Sequence, residues 1–195
     1  MSNNLSVGII GAGPGGLALG ILLARAGFHD FTIFDREDDV GGEHATTLRE
    51  VWRDGAHAYF GMAVPGFPNF FMLYGPNTNV GSNSVIFMLE AQARYIVRAL
   101  KYMRRKGKSY IAVRPSALAE FVAKIDRWMA GTAWTTQCSN YFRAANGRVV
   151  TQWPRSARSF WEMTRRFKPA DFSFQAPAVS AVDGDACTAR NRRNR

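Results

Sequence analysis

Residues Val7–Gly20 read VGIIGAGPGGLALG, and their order decides the fold. Leu5–Ile10 is a short apolar run bounded by glycine, the pattern of a buried strand. Leu17–Ala26 follows as a nearly all-apolar segment of helical length that stops at Gly27, a helix-ending glycine. Phe31–Phe34 is a second buried strand, closed by Asp35. Strand, tight turn, helix and strand form the first half of a nucleotide-binding α/β unit, so the predicted class is α/β.

Gly11-Ala12-Gly13-Pro14-Gly15-Gly16 fits G-x-G-x-x-G directly after a strand and at the opening of a helix. Gly11 permits the tight turn, Gly13 lets backbone approach a pyrophosphate, and Gly16 allows close helix–strand packing. The pyrophosphate would rest on the helix N-terminus, where free amides and the dipole favour anions. Asp35, 19 residues after Gly16, is placed to accept hydrogen bonds from ribose hydroxyls. The motif alone does not separate FAD from NAD.

After Gly42 the α/β alternation ceases, and so does the charge regime. Residues 1–42 carry a net charge of −3, which leaves +13 on residues 43–195. Regular structure is predicted to resume with a buried strand at Phe70–Tyr74, followed by GPNTNVGSNS and a helix over Ser84–Arg105. That helix would expose Glu90, Arg94, Arg98, Lys101 and Arg105 and bury its apolar first turn, Val85–Leu89. GPNTNVGSNS is a second candidate site, with backbone amides facing a ligand at a helix N-terminus, or an ordinary strand-to-helix loop. Ser116–Ala130 reads as an amphipathic helix with Leu118, Phe121, Val122, Ile125, Trp128 and Met129 on its apolar stripe. Asn146-Gly147 marks a hairpin turn, Ser156–Phe167 a short helix, and Gln175 onward a disordered basic tail.

Composition narrows the function classes. A chain of 195 residues that is 47% hydrophobic supports one packed domain. No apolar run approaches the roughly 18–20 residues of a membrane span, and MSNNLS lacks a basic signal-peptide start. Cys138 and Cys187 have no metal spacing and are too few for a disulfide framework, so a cytoplasmic location is expected. His29, His44 and His57 show no ligand spacing and read as loop residues, and no G-x-S-x-G elbow or paired carboxylates occur. Met103–Lys108 (MRRKGK) reads as a solvated helix end rather than a phosphate site.

Residues 48–100, and above all PGFPNFFMLYGPNTN, closely resemble the C-terminal part of the flavin-dependent Baeyer–Villiger monooxygenases. The likeness continues through Trp134, Cys138, Tyr141 and Gly147 to Trp153-Pro154 and fades near Phe174. Residues 5–42, with GAGPGG and FDREDDVGG, resemble the N-terminus of the same family, its first FAD-binding βαβ segment. The departure is the join. Glu43-His44 stands where the family has Thr-Trp, and neither a second G-x-G-x-x-G nor the F-x-G-x-x-x-H-x-x-x-W fingerprint follows. The family's arginine for the oxygenation step would lie in that absent middle.

The resemblance implies a reduced Rossmann-like FAD-binding domain, with a parallel sheet, flanking helices, a C-terminal helical extension and a disordered tail. It divides the chain into an FAD-binding βαβ segment (1–42), a C-terminal FAD-domain segment with helices (43–174) and the basic tail (175–195). Phe70–Tyr74 would lie parallel beside Leu5–Ile10 in a three-stranded sheet. Gly11, Gly13, Pro14, Gly15, Gly16, Asp35 and Arg36 would hold FAD, with Gly75, Pro76, Asn77, Thr78 and Ser84 near the flavin. The family oxygenates ketones to esters or lactones with NADPH and oxygen, but no NADPH site is recognisable here. The rival readings are a non-catalytic FAD-binding remnant and a basic module for nucleic acid or anionic membrane. Helices without their usual neighbours would expose apolar faces, a route to self-association.

Overall fold

The computed structural model describes residues 5–10, 13–34, 42–81, 84–135, 142–144 and 146–177. Strand β1 (Val7–Ile10) pairs in parallel with β2 (Phe31–Phe34), Val7 opposite Phe31, and α1 (Pro14–Arg25) crosses between them. This is the predicted βαβ unit. Helix α1 begins with Pro14 at its first position, where a missing N–H costs nothing. It ends in a Schellman motif: Gly27 is left-handed (φ 79°), its N–H reaches Ala24 O, and Phe28 N–H reaches Leu23 O. Leu23 and Phe28 are both buried, which completes the cap with an apolar contact.

The remaining elements are α2 (Leu48–Val51), α3 (Val85–Arg105), β3 (Tyr110–Val113), α4 (Pro115–Met129), α5 (Ala157–Thr164) and β4 (Phe172–Gln175). Helix α2 carries a reciprocal capping box between Thr47 and Glu50. Strands β3 and β4 pair antiparallel, Val113 opposite Phe172, and form a second small sheet that the sequence reading did not anticipate. Strand β4 ends at Gln175, one residue into the stretch expected to be disordered, and residues 178–195 lie outside the described residues. The Asn146-Gly147 turn sits as expected, with Arg143 bridged to Val149.

Two expectations are corrected. Among the described residues β1 pairs with β2 alone in a two-stranded sheet, and Phe70–Tyr74 is not a strand beside it. The amides of this segment point elsewhere: Met72 N–H reaches Met62 O, and Tyr74 N–H reaches the Gln92 side chain. Asn69 and Tyr74 are left-handed (φ 58° and 60°), which breaks an extended ladder at both ends. The first turn of α3 is not buried all round either, since Ile86 is 51% and Phe87 38% exposed. Met88 and Leu89 face inward, but no described element covers the opposite side of that turn.

An aromatic cluster joins α3, α4, α5 and β4. Phe60 is 4.8 Å from Phe121, 5.8 Å from Tyr95 and 6.1 Å from Phe160 between ring centroids. Its backbone is left-handed (φ 51°), a strained state for a bulky residue that the packed ring holds in place. Beside it the Tyr59 hydroxyl donates to Asp171 Oδ2, tying the start of the second block to the turn before β4. Burial pushes the Tyr59 phenol far above its ordinary value, with Tyr95 and the Asp171 carboxylate adding to the effect. Burial raises the Tyr95 phenol as well.

A phenol whose folded pKa is raised lends stability that is complete below its unfolded pKa of about 10 and is lost as pH rises beyond it. Stability to urea should therefore fall above pH ~10, with tyrosinate absorbance from Tyr59 and Tyr95 appearing only as the chain unfolds. Tyr59→Phe should reduce that alkaline loss and lower stability at neutral pH by about 1–3 kcal/mol. Smooth titration of all tyrosines in a folded protein would contradict this assignment.

Candidate functional site

The site is built where two helices begin. Helices α1 and α3 pack side by side in the same direction. At the starting end, a Cβ added to Gly15 would lie 3.3 Å from Leu73 Cδ1 and 3.4 Å from Leu89 Cδ2. At the far end Arg104 Nη1 donates to Gly27 O at 2.9 Å, and its guanidinium lies 4.3 Å from the Phe28 ring centroid. Both N-termini therefore open on one side of the protein. Neither first turn contains an acidic residue, so the positive end of each dipole is not offset within its own first turn.

Gly13 is the N-cap of α1, and Pro14, Gly15 and Gly16 fill its first three positions. The backbone at Gly13 is extended (φ −70°, ψ 178°), and nothing lies within 4 Å of where its Cβ would be. That open space is the geometry a pyrophosphate would need in order to reach the backbone amides. Gly15 is required for a different reason, since it seats α1 against Leu73 and Leu89. Helix and sheet approach closely at Gly20, whose Cβ would lie 3.3 Å from Phe31 Cε2 and 3.5 Å from Ile33 Cδ1. Sequence reasoning missed Gly20, although a glycine inside an otherwise apolar helix is a packing signal. Gly11, Asp35 and Arg36 lie outside the described residues.

The loop Gly75–Asn79 runs from Leu73 toward α3, whose N-cap is Ser84. Asn77 and Thr78 are buried. Asn77 Nδ2 donates to Val149 O and Gln152 O at 2.9 and 3.0 Å, and Thr78 Oγ1 donates to Gly75 O at 2.6 Å. Their side chains are thus engaged within the protein and shape the loop from inside. Asn77 N–H reaches Val150 O, Asn79 N–H reaches Thr151 O, and Trp153 N–H reaches Asn79 O, so the loop rides on the strand-like stretch after the hairpin. Asn77 is left-handed (φ 56°), and with Tyr74 it flanks Gly75-Pro76 with two strained residues.

Gln92 fixes this loop to α3. Its carboxamide is fully buried, accepts from Tyr74 N–H at 2.9 Å, and donates to Phe60 O at 3.0 Å and Gly61 O at 3.3 Å. Gly61 and Gly75 touch backbone to backbone. A Cβ on Gly61 would overlap the Thr78 methyl and lie 2.8 Å from Pro76 O. Among the described residues no group of three or more His, Cys, Asp and Glu side chains is placed to hold a metal ion.

The parallel strand–helix–strand unit is that of a Rossmann-like α/β fold. Residues 9–80 match the NAD(P)-binding Rossmann-like domain family. Within that class the chain is homologous to part of the Baeyer–Villiger monooxygenases. It is 34% identical over 167 residues to a Baeyer–Villiger monooxygenase of Streptomyces coelicolor, covering 84% of this chain and 32% of that protein. It is 35% identical over 148 residues to the FAD-binding monooxygenase ktnD of Aspergillus niger, covering 73% of this chain and 24% of that one. The chain thus spans about a quarter to a third of these relatives' length. Its fold matches cyclohexanone monooxygenase from Rhodococcus sp. Phi1 bound to NADP+ with a TM-score of 0.61 at 18% identity, over 75% of this chain and 30% of that one.

Gly61→Ala should be among the most damaging single-atom additions in the chain. It places a Cβ on a left-handed backbone (φ 63°) and against both Thr78 and Pro76. A loss of about 3 kcal/mol or more is expected from chemical denaturation, or no folded protein at all. Near-native stability of that variant would mean that the Gly61–Gly75 contact is looser than described.

Proposed function

We propose that the chain binds FAD, with the pyrophosphate on the N-terminus of α1 and the flavin end beside Gly75-Pro76. The observation that carries this reading is the meeting of the two helix N-termini at Gly15, Leu73 and Leu89, with open space at Gly13. Homology to a family whose members include an FAD-binding monooxygenase supports FAD over NAD at the first glycine motif. Gly13 keeps the approach to the amides clear, and Pro14, Gly15 and Gly16 present the first turn. Asp35 and Arg36 follow β2 in sequence, where the acid would accept the ribose hydroxyls. Gly75 and Pro76 offer backbone to the ligand, Asn77 and Thr78 hold that backbone in place, and Ser84 opens the second helix.

When bound, FAD supplies the redox chemistry by which the family inserts oxygen beside a ketone carbonyl. The protein's own contribution here is binding and orientation. Covering the flavin from water and seating a nicotinamide are tasks for which these 195 residues offer no recognisable second dinucleotide motif. We therefore infer an FAD-binding part of a Baeyer–Villiger monooxygenase that does not by itself turn over ketones. Leu17, Ile21, Ile86 and Phe87, each 38–55% exposed, are faces through which copies of such a chain would self-associate.

Gly13→Val tests the cofactor site directly. Because the backbone is extended and the surrounding space empty, the variant should fold with little change in its circular dichroism or melting. Its flavin content, read from the visible absorbance of the purified protein, should be lost, since the branched side chain fills the pyrophosphate approach. Undiminished flavin in a folded variant would move the cofactor elsewhere.

Turnover is tested with the flavin-loaded protein, NADPH and cyclohexanone, measuring lactone directly. NADPH oxidation without lactone, with hydrogen peroxide released instead, is expected of an uncovered site. Lactone formed in proportion to NADPH consumed would show that these residues suffice for catalysis.

A further inference from the structure

Helix α3 ends in a run of cations, Lys101, Arg105 and Lys106, and by sequence alone that end reads as a solvated face. The fold adds a second run to it. Phe167 stands between Arg166 and Lys168 just past α5, and its ring packs 5.6 Å from Tyr102 and 5.5 Å from Tyr95 of α3. Arg165, Arg166 and Lys168 are thereby gathered beside the last turns of α3, although 60 positions separate Arg105 from Arg165. All six cationic residues are exposed.

The charge of this face is uncompensated. No Asp or Glu occurs in residues 98–110 or 163–170. Among the described residues none of the six cations has an acidic partner. The acids that border the second run are engaged, Glu162 with Arg158 and Asp171 with the Tyr59 hydroxyl. Two of the guanidiniums are steadied by rings. Arg105 Cζ lies 5.6 Å from the Tyr102 centroid, and Arg165 Cζ lies 5.8 Å from that of Trp161. Stacking of this kind occupies a face of the guanidinium and leaves its in-plane N–H donors for phosphate oxygens. Strand β4 ends beside the same turn, Ser109 N–H reaching Gln175 O at 3.1 Å, and Arg190, Arg192, Arg193 and Arg195 follow in sequence.

We propose that this face of α3 and α5 binds the phosphate backbone of a nucleic-acid duplex without reading its base sequence. Exposed cations spread over two elements suit a polyanion with charge along its length, and a duplex carries one phosphate per about 1.7 Å of axis. A bilayer fits less well, because stable attachment needs an apolar anchor besides a basic patch. The exposed large apolar side chains among the described residues lie elsewhere, at Leu17, Ile21, Tyr74, Ile86 and Phe87. Phe87 is about 21 Å along α3 from Lys101. Base stacking is not offered either, since Tyr102 and Phe167 are partly buried against each other, which favours a duplex over a single strand. The inference does not rest on FAD binding, whose proposed site lies at the opposite end of α3.

The test uses the full chain and a fluorescein-labelled DNA duplex of about 20 base pairs, followed by anisotropy. Saturable binding is expected with a dissociation constant of about 1–100 μM at physiological salt, equal for two duplexes of unrelated sequence. With five phosphates neutralised, affinity should fall roughly 500-fold between 50 and 200 mM NaCl. Arg105→Gln, Arg166→Gln and Lys168→Gln together should weaken binding and cut that salt dependence to roughly tenfold. Arg166→Gln alone should lower the log–log slope by about 0.9, which keeps the test open if the triple variant does not fold. A matched triple variant, Arg53→Gln, Lys124→Gln and Arg127→Gln, removes the same charge from exposed positions outside α3 and α5 and should bind as the parent does. The proposal is overturned by an absence of saturable binding at low salt, or by an affinity indifferent to salt. Equal losses in the two triple variants would overturn it and assign binding to net charge. Vesicles of equimolar phosphatidylcholine and phosphatidylserine that bind the chain more tightly than the duplex would overturn it in favour of a membrane surface. Tighter binding of one strand than of the duplex would overturn it in favour of base stacking. Saturating FAD should leave duplex binding unchanged, and displacement by FAD would overturn the assignment to this face. A chain that retains no FAD would refute the cofactor reading and leave the duplex titration intact as a test.

Discussion

The Gln92 carboxamide is the contact on which the arrangement of this protein depends. It is buried on α3, and its amide group reaches the backbone of two separate loops, at Phe60-Gly61 and at Tyr74. Neither loop belongs to a sheet, so these bonds do the work that a strand ladder would do elsewhere. A buried amide with a donor or an acceptor left unmade costs about 1–3 kcal/mol, and here both ends are satisfied. The bond at Tyr74 sets where Leu73 and Gly75 fall. Leu73 in turn seats Gly15 and the start of α1. One side chain thereby aligns the two helix N-termini.

Rigidity in this region comes from backbone proximity rather than from regular structure. Phe60, Tyr74 and Asn77 all adopt left-handed backbone, and each is held by a different neighbour: an aromatic cluster, Gln92, and the carbonyls of Val149 and Gln152. Strain of this kind costs on the order of 1–3 kcal/mol per residue and persists only when the surroundings over-determine it. The exposed side chains tell the opposite story. Leu17 and Ile21 lie one turn apart on α1, Ile86 and Phe87 open α3, and no described element covers any of them. A chain spanning a quarter to a third of its relatives' length leaves apolar surface at the helix ends that flank the candidate site.

Local rules made the elements legible. Periodicity and caps located α1, α3, α4 and the hairpin turn to within a few residues, although α1 begins at Pro14, three residues before the expected Leu17. What failed was the reading of FFMLY as a strand. An apolar run records burial, not hydrogen bonding, and Leu73 is partly buried against α1 without joining β1. Strands β3 and β4 went unread for a related reason. Each has four residues, and 58 residues separate Val113 from its partner Phe172, so no local turn announces the pairing. The alternation of Phe172 and Phe174 with Ser173 and Gln175 was the available signal. In the candidate site, only the family resemblance put Asn77 and Thr78 near a flavin. Asn77 donates to the distant carbonyls of Val149 and Gln152, which no single sequence discloses, and Thr78 to Gly75 O three residues away.

The electrostatics of the site follow from the same alignment. The net charge of +10 does not by itself create a place for an anion, because most basic side chains lie on solvated faces where salt screens them. Helix ends act differently. Their partial charges are fixed in the backbone and fall off within a turn, so they matter only where ends converge and no acid intervenes. The starts of α1 and α3 converge and neither first turn carries an acid, while Arg104 lies at the opposite end, donating to Gly27 O and Ala26 O, at the negative end of α1. The cation that stabilises the far end of α1 is carried by α3 itself. The packing that aligns the helices therefore also separates their charges, anion-seeking amides on one side and a guanidinium on the other.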